Sequence, residues 1–462
     1  MIQKLIICLL LVSSFTVSAQ GFKLPNYTTF KLANGLTVSL MEQHDVPVIS
    51  VSIVLPAGAI YDYHKAGLAS LTATSLKHGT KNFPKTKLDE ELDFLGADVN
   101  TYATKEFAGL SSDFASKDKE KVLNIIKEIV LNPVFDAAEF EKEKSRLLVS
   151  LAQQKESPRS VIKAYFETLL YGNHVYANVE KGNKETVGKL TVNDVKDFYK
   201  TNYKPNEAAI CIVGDFKVKD MKATITKLFS GWEKSAVKTE NLASKPIANP
   251  TENRVLLVNK EDAKETTFYI GSPGVSRNNP DYVAIEVVNT LFGGRFTSML
   301  NDELRVNSGL TYGAGSRFNN LKNGGSFYIS TFTASKTTEP AIDKALEVLK
   351  NLHTKGIDEK ALASAKNYVK GQFPPDYETT EQLAGLLSQM FWYNFDQSFI
   401  NNFEKNVDSL DLTKANEIIA NYFPKDKLQF VLIGKSEEIK KIAEKYGKVT
   451  EVEISDDIKK IK

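Results

Sequence analysis

The stretch TVNDVKDFYKTNYKPNEAAICIVG, residues 191–214, reads as a helix, an aromatic-proline turn and an apolar strand that ends at glycine. The same order returns about 220 residues later as TKANEIIANYFPKDKLQFVLIG, residues 413–434. LDEEL at residues 88–92 and LNDEL at residues 300–304 correspond more weakly. A period this long is not that of a solenoid, and it indicates a duplicated domain.

The boundary between the two halves is predicted at residues 235–252, which are rich in Ser, Lys, Asn, Thr and Pro and show little periodicity. Such composition is typical of a linker. We therefore predict a first domain over residues 20–234 and a second over residues 253–462.

Each half mixes strand and helix patterns without regular alternation. In the first half the predicted strands cover residues 36–40 and 48–55 and a hairpin at 99–104 and 108–114. In the second half they cover residues 253–258, 264–271, 311–319 and 325–333. This order predicts an α+β fold of two homologous domains, each a mostly antiparallel sheet covered on one side by helices.

The bulk composition limits the possible functions. The chain has 462 residues, and 42% of them are hydrophobic. This length exceeds what a single hydrophobic core accommodates and implies two or more domains. Its formal net charge is only +2, and long blocks of like charge are absent from the sequence. A nucleic-acid groove or a strongly acidic partner is therefore not expected.

The first nineteen residues are predicted to be a secretory signal peptide. Lys4 gives a positive start, residues 5–12 are apolar, and Val17-Ser18-Ala19 offers a cleavage site before Gln20. An uncleaved interfacial anchor is the alternative. The later sequence contains no apolar run long enough to span a bilayer. The mature protein is expected in the periplasm if the source is Gram-negative.

The segment GLASLTATSLKHGT, residues 67–80, resembles the active-site helix of the pitrilysin/insulinase family of zinc peptidases, in particular the mitochondrial processing peptidase type and its bacterial homologues. The resemblance runs from about residue 27 to residue 445. In active members this helix carries His-x-x-Glu-His, where two imidazoles one turn apart bind Zn²⁺ and the Glu acts as base.

The resemblance places non-ligating residues at all four positions of that zinc site. Ser70 and Thr74 occupy the two histidine positions, Ala73 occupies the base position, and Ser150 falls near the third ligand. A neutral hydroxyl is a poor zinc ligand and a methyl group cannot transfer a proton. We therefore expect this chain to bind no metal.

The histidines of the chain do not suggest a replacement zinc site. None of the five has another at metal-pair spacing on one helix, and there is no CxxC pair. We expect His64 and His78 to face solvent or to cap a helix end, and His174 to lie in a turn. A zinc peptidase with unrecognised ligands is the weakest of the alternatives.

A second motif matches the family where the first does not. The run FGGRFTSMLNDELRVNSGLTYG, residues 292–313, is similar to an element whose Arg and Tyr, seven residues apart, face the zinc; here they are Arg305 and Tyr312. Arg305 can hold a substrate carbonyl and Tyr312 can donate to a tetrahedral oxyanion. The alternatives are a surface ion pair of Arg305 with Glu303 or Asp302, and a packed Tyr312.

The combination of motifs implies a two-chain enzyme. In the bacterial two-chain members of the family, one subunit carries the zinc motif and the other carries the Arg/Tyr pair. The resemblance thus implies that this chain forms half of a clamshell, with zinc held by a homologous His-x-x-Glu-His subunit and with peptides as substrates. The rival interpretation is a non-proteolytic scaffold or peptide-binding protein of the same fold.

The hairpin strand at residues 99–104 occupies the position where relatives bind substrate by β-strand addition. Beside a degenerate zinc site it has three possible roles: a vestige, a secondary peptide contact, or a packed strand. We favour the packed strand as the interpretation from sequence.

Overall fold

A computed structural model describes residues 22–235 and 242–458 of the chain. The predicted signal peptide at residues 1–19 lies outside the described residues, as does part of the predicted linker, and the domain boundaries therefore stay predictions. Among the residues described, none of the helices combines the length and the apolar character needed to cross a membrane.

The described residues form two sheets of six strands each. The strands of the first sheet are β1 (Thr28–Lys31), β2 (Thr37–Glu42), β3 (Val48–Leu55), β4 (Asp98–Ala103), β5 (Ala108–Ala115) and β6 (Ala209–Gly214). Those of the second are β7 (Arg254–Asn259), β8 (Glu265–Gly274), β9 (Ala314–Leu321), β10 (Gly324–Ala334), β11 (Gln429–Gly434) and β12 (Lys448–Glu453).

Helices connect the strands in both halves. In the first half they are α1 (Leu68–Ser75), α2 (Lys85–Leu95), α3 (Lys119–Leu131), α4 (Ala137–Gln154), α5 (Pro158–Tyr171), α6 (Lys184–Lys189), α7 (Val192–Asn202) and α8 (Val218–Phe229). In the second they are α9 (Tyr282–Asn289), α10 (Met299–Asn301), α11 (Thr338–Lys355), α12 (Glu359–Gln372), α13 (Thr380–Tyr393), α14 (Gln397–Asn401), α15 (Phe403–Asp408), α16 (Leu412–Tyr422) and α17 (Ser436–Ala443). Two π-helical segments, Thr290–Gly294 and Asp302–Asn307, flank α10.

The strand order shows the duplication directly. The first sheet runs β1-β2-β6-β3-β5-β4 and the second runs β12-β7-β11-β8-β10-β9, so five neighbouring strands correspond one to one. The pairs β2–β6, β7–β11 and β7–β12 are parallel and the remaining pairs are antiparallel. The predicted α+β class, the two homologous domains and the mostly antiparallel sheets are therefore confirmed.

The prediction that helices cover only one side of each sheet is wrong. Along β6, Ile210 and Ile212 belong to one hydrophobic core, while Cys211 and Val213, on the opposite face, belong to another. The second face is covered by α13 of the other half, which packs against β3 and β6. Reciprocally, α5 of the first half packs against β8 and β11. A strand buried on both faces is apolar throughout, as β6 is.

A buried carboxylate at the tip of the β4–β5 hairpin joins the two halves. Glu106 accepts hydrogen bonds from the Lys322 backbone N–H, 3.0 and 3.1 Å from its two oxygens, and from the Tyr176 hydroxyl. The Trp392 indole Nε1 lies 3.5 Å from the same carboxylate. Burial raises the pKa of Glu106. The hairpin that carries the edge strand β4 is thus fixed by residues of the second half.

Candidate functional site

Helix α1, the counterpart of the zinc-binding helix, is held at its N-terminus by a buried acid. Gly67 precedes the helix with a φ of +96°, and the Asp62 carboxylate accepts from the Gly67 and Ala69 backbone N–H groups at 2.8 and 2.7 Å. Asp62 is 1% exposed, and this burial raises its pKa to about 8. The first turn of α1 is therefore fixed from inside the protein.

The zinc-ligand positions on α1 carry groups that cannot form the site. Ser70 and Thr74 are partly exposed one turn apart, and the Thr74 hydroxyl donates to the Ser70 carbonyl at 2.9 Å. The methyl group of Ala73 is fully buried. The residue at the base position is therefore inaccessible to solvent, and it cannot transfer a proton. Helix α4 packs against α1, and its Ser150 hydroxyl accepts from Gln154 at 3.1 Å.

The residues present therefore do not fit zinc. Hydroxyl groups, of which those of Thr74 and Ser150 form local hydrogen bonds, replace imidazole and carboxylate, which are the ligands that zinc prefers. In residues 22–235 and 242–458, no group of three or more His, Cys, Asp and Glu is placed to hold a metal ion.

The histidine expectations are partly wrong. His64 is exposed, and His174 lies in a turn, where its side chain accepts from the Tyr176 backbone N–H. His78, in contrast, is 6% exposed and its Nδ1 has no hydrogen-bond partner within the described residues, so it neither faces solvent nor caps α1. Burial lowers the pKa of His78 and favours the neutral ring. The turn after α1 folds this side chain inward, which helix periodicity alone did not indicate.

Arg305 lies in the second half within the π-helical segment Asp302–Asn307 and is partly exposed. Its guanidinium lies over the Phe296 ring, 4.6 Å from the ring centre. Within the described residues it forms no ion pair, and Glu303 accepts from Asn307 instead. The alternative of a surface ion pair with Glu303 or Asp302 is therefore not supported.

Tyr312 is 85% exposed, which contradicts the alternative of a packed aromatic side chain. It precedes β9 by two residues, so the strand predicted from residue 311 begins later, at Ala314. Its neighbours are anchored: the Thr331 hydroxyl donates to the Gly313 carbonyl at 2.8 Å, and the Gly313 N–H donates to the Thr311 hydroxyl at 3.1 Å. An anchored backbone thus presents an exposed phenol.

Asn301 connects the segments that carry Arg305 and Tyr312. Its amide donates to the Phe296 carbonyl at 2.6 Å, and its oxygen accepts from the Ala314 N–H at 3.2 Å. One side chain therefore links the backbone of Phe296, whose ring lies under Arg305, to the strand that follows Tyr312. No pattern in the sequence indicated this role of Asn301.

A cavity of about 580 Å³ opens beside Tyr312 and is lined by Phe296, Phe332, Tyr368, Arg295 and Arg159 among others. Arg159 comes from α5 of the first half and lies over the Phe332 ring at 3.4 Å. Arg305 itself is not in the lining. The sequence analysis missed Arg159 because only the packing of α5 on the second sheet brings it here.

The hairpin strand β4 is an edge strand and pairs only with β5 in the part of the chain described. Val99 is buried, whereas Asn100 and Tyr102 are exposed. Lys77, just after α1, donates to the Val99 carbonyl at 2.5 Å. The interpretation of a packed strand therefore holds for one face of β4 only, because the side chains of Asn100 and Tyr102 on the other face are exposed. The outer edge of β4 pairs with no strand in the described residues.

The repeated strand order defines a class: a duplicated α+β fold in which, among the described residues, no cluster of side chains is placed to hold a metal ion. Two models of one family match the chain, "Insulinase (Peptidase family M16)" over residues 37–181 and "Peptidase M16 inactive domain" over residues 189–369. The chain belongs to peptidase family M16.

Similar proteins agree with this assignment. The "Non-peptidase homolog YmxG" of Helicobacter pylori is 24% identical over 88% of this chain and 96% of its own length. "Cytochrome b-c1 complex subunit 1, mitochondrial" of Bos taurus is 27% identical over 58% of this chain and 56% of that protein. The crystal structure of a peptidase M16 inactive domain from Pseudomonas fluorescens superposes with a TM-score of 0.83 and 25% identity, covering 89% of this chain and 98% of that one.

Proposed function

We propose that this protein is the zinc-free subunit of a two-chain periplasmic zinc peptidase. It forms one half of a clamshell, and a homologous subunit with His-x-x-Glu-His forms the other half and holds the zinc. Peptides small enough to enter the chamber are the substrates. Residues 1–19, as a signal peptide, direct the chain across the inner membrane.

The observation that carries this proposal is the contrast between the two motifs. Arg305 and Tyr312 are presented to solvent, one on an aromatic ring and one on an anchored turn. The positions matched to the zinc ligands are occupied by Ser70, Thr74 and Ser150, whose hydroxyl groups are poor ligands for zinc. Exposed donors that form no hydrogen bond within the described residues are expected where the substrate comes from outside.

The chemistry assigned to this chain is binding and charge stabilisation. Zinc in the partner supplies the activated water. Arg305 holds the substrate carbonyl through its fork of N–H donors, and Tyr312 donates its hydroxyl to the oxyanion that develops at the scissile carbon. Neither residue needs to change its protonation state, so both act as fixed donors.

The test is purification of the tagged chain from the periplasmic fraction of its native host, with an untagged strain as control. The proposal predicts a stoichiometric homologue bearing His-x-x-Glu-His, about one zinc per pair of chains, and peptidase activity. Recovery of the chain alone, without metal and without activity, would contradict the complementing role.

The second candidate is a non-proteolytic scaffold or peptide-binding protein. The likeness to a cytochrome b-c1 complex subunit favours it, since that protein is named as a subunit of a complex. The two candidates differ in what co-purifies: a zinc-motif homologue supports the peptidase subunit, and unrelated subunits without peptidase activity support the scaffold.

A further inference from the structure

A second cavity, of about 890 Å³, lies at the edge strand β9 and is separate from the zinc-site positions of the first half. Its walls come from β9, from helix α9 and from the end of α13, where Gln389 and Tyr393 reach it. Several of its polar side chains form no hydrogen bond within the described residues. Neither Arg305 nor Tyr312 lines this cavity.

Arg277 is held in this cavity by aromatic side chains. Its guanidinium lies 3.9 Å from the ring centre of Tyr282 and 4.7 Å from those of Phe395 and Phe399. Its backbone N–H donates to the Leu321 carbonyl at 2.8 Å, which fixes the main chain as well. The guanidinium forms no hydrogen bond or ion pair with any residue in the described ranges. Stacking uses the faces of the group and leaves its N–H edge available.

Arg317, on β9, lines the same cavity and likewise lacks a hydrogen bond or ion pair within the described ranges. Glu286 is solvent-exposed, and its carboxylate opens into the cavity beyond ion-pair distance of both guanidinium groups. Desolvation in the cavity raises its pKa and outweighs the lowering by Arg277 and Arg317. Asp376, a further acid near Glu286, is outside the lining. The cavity thus contains two guanidinium groups and one carboxylate that forms no ion pair with them.

Two carboxamides add donors and acceptors to this site. Asn319 and Gln389 line the cavity, and their side chains form no hydrogen bond with residues in the described part of the chain. A fixed fork of N–H donors beside free amide groups matches a carboxylate that is attached to a peptide backbone.

We propose that this cavity binds the carboxylate of a peptide through Arg277 and Arg317. The cavity shares part of its lining with the one beside Tyr312: Tyr269, Gly293, Gly294, Gly315 and Ser330. The three glycines add no side chain to this shared wall, so only Tyr269 and Ser330 project from it. A peptide anchored by its carboxylate at Arg277 can therefore continue towards Tyr312.

Arg277 also has a structural role, since its stacking ties α9 to the segment after α13. That role alone does not require unpaired N–H groups, nor a second unpaired guanidinium in the same cavity. The site belongs to this chain alone and requires no zinc subunit. Its test can therefore fail or succeed independently of the proposed peptidase role.

The experiment is fluorescence anisotropy on the isolated mature chain with three labelled hexapeptides of glycine, serine and alanine. One ends in a free carboxylate, one in an amide, and one is amidated but carries a single Asp. We expect the free acid to bind and the plain amide to bind at least roughly tenfold more weakly. Binding of the Asp peptide as well would assign the site to side-chain carboxylates in addition to the C-terminus.

The variants Arg277→Gln and Arg317→Gln are each expected to weaken binding of the carboxylate peptide by roughly tenfold or more. Arg317→Gln is informative even if Arg277→Gln unfolds, because Arg317 is exposed and its side chain forms no hydrogen bond or ion pair within the described ranges. Arg146→Gln, an exposed change on α4, is the control and should leave binding unaltered. The proposal is overturned if no peptide binds at about millimolar concentration, if both cavity variants bind like the wild type, or if the control loses binding equally.

Discussion

The guanidinium carbon of Arg305 lies 4.6 Å from the centre of the Phe296 ring, and that ring is itself 70% exposed. This contact orients the cation without neutralising it, because an aromatic face attracts a cation and leaves its N–H donors unoccupied. The arrangement differs from a surface ion pair, in which a carboxylate would occupy those donors. It favours a role in binding a group that arrives from outside the chain.

The first prediction concerns the two donors in the assembled complex. Arg305→Ala and Tyr312→Phe should each lower kcat/KM for peptide hydrolysis by about 10²-fold, the lower range found when an oxyanion donor is removed. Steady-state kinetics on a short fluorogenic peptide measures this. Val306→Ala is the control, since it removes an exposed neighbour on the same segment without removing a donor. Unchanged rates in an intact complex for both variants would show that the assigned roles are wrong.

The second prediction concerns the ring beneath Arg305. Phe296→Ala should lower kcat/KM by about two- to fivefold, because an exposed cation–π contact contributes about 0.5–1 kcal/mol to the orientation of the guanidinium. Phe296→Tyr keeps the ring and should retain the wild-type rate. In an Arg305→Ala background, Phe296→Ala should have no further effect, since the two changes remove one interaction. Additive losses in that double variant would assign Phe296 a separate contact with the substrate.

The duplicated order of elements was predictable because each half repeats a helix, an aromatic-proline turn and an apolar strand. Each of the helices α5 and α13 packs on the sheet of the other half, and this packing was not predictable. Periodicity shows which face of a helix is apolar but not which sheet packs against that face. For the same reason the sequence identified Arg305 and Tyr312 through their motif but missed Arg159, which reaches the cavity beside Tyr312 only through that packing.

The third prediction tests the matched zinc positions. Ser70→His, Thr74→His and Ser150→Glu together should create a site for about one zinc per chain, because α1 packs against α4. Ala73 is left unchanged, since a Glu in place of its buried methyl group would overpack the core at a cost of about 1–3 kcal/mol. Metal analysis after dialysis gives the stoichiometry.

Two comparisons complete this zinc experiment. The wild type should retain no zinc, and a variant with Ser70→His and Thr74→His alone should lose its metal to a weaker chelator than the triple variant does. A folded triple variant that retains no zinc would show that at least one of the three positions has been matched wrongly.

The last prediction follows from Asp62, whose pKa is raised by burial from 3.8 to about 8. A carboxyl group whose pKa is higher in the folded chain than in the unfolded chain favours folding while it is protonated. Its contribution is therefore fully present below about pH 4 and is lost as the pH rises through about 8. The loss can reach about 1.4 kcal/mol per pH unit.

Asp62→Asn removes this titration but keeps one acceptor for the backbone N–H groups of Gly67 and Ala69. Near pH 5 the wild-type carboxyl is protonated and offers one carbonyl acceptor, as the amide does, so the two proteins should be about equally stable. By pH 9 the variant should be the more stable of the two, because only the wild type must ionise a buried acid. Urea unfolding followed by the fluorescence of the buried Trp232 and Trp392 measures it. Asp45→Asn, an exposed change, should show no such trend. A difference that stays constant from pH 5 to 9 would mean that the Asp62 carboxylate is ionised throughout and held by the N-terminus of α1.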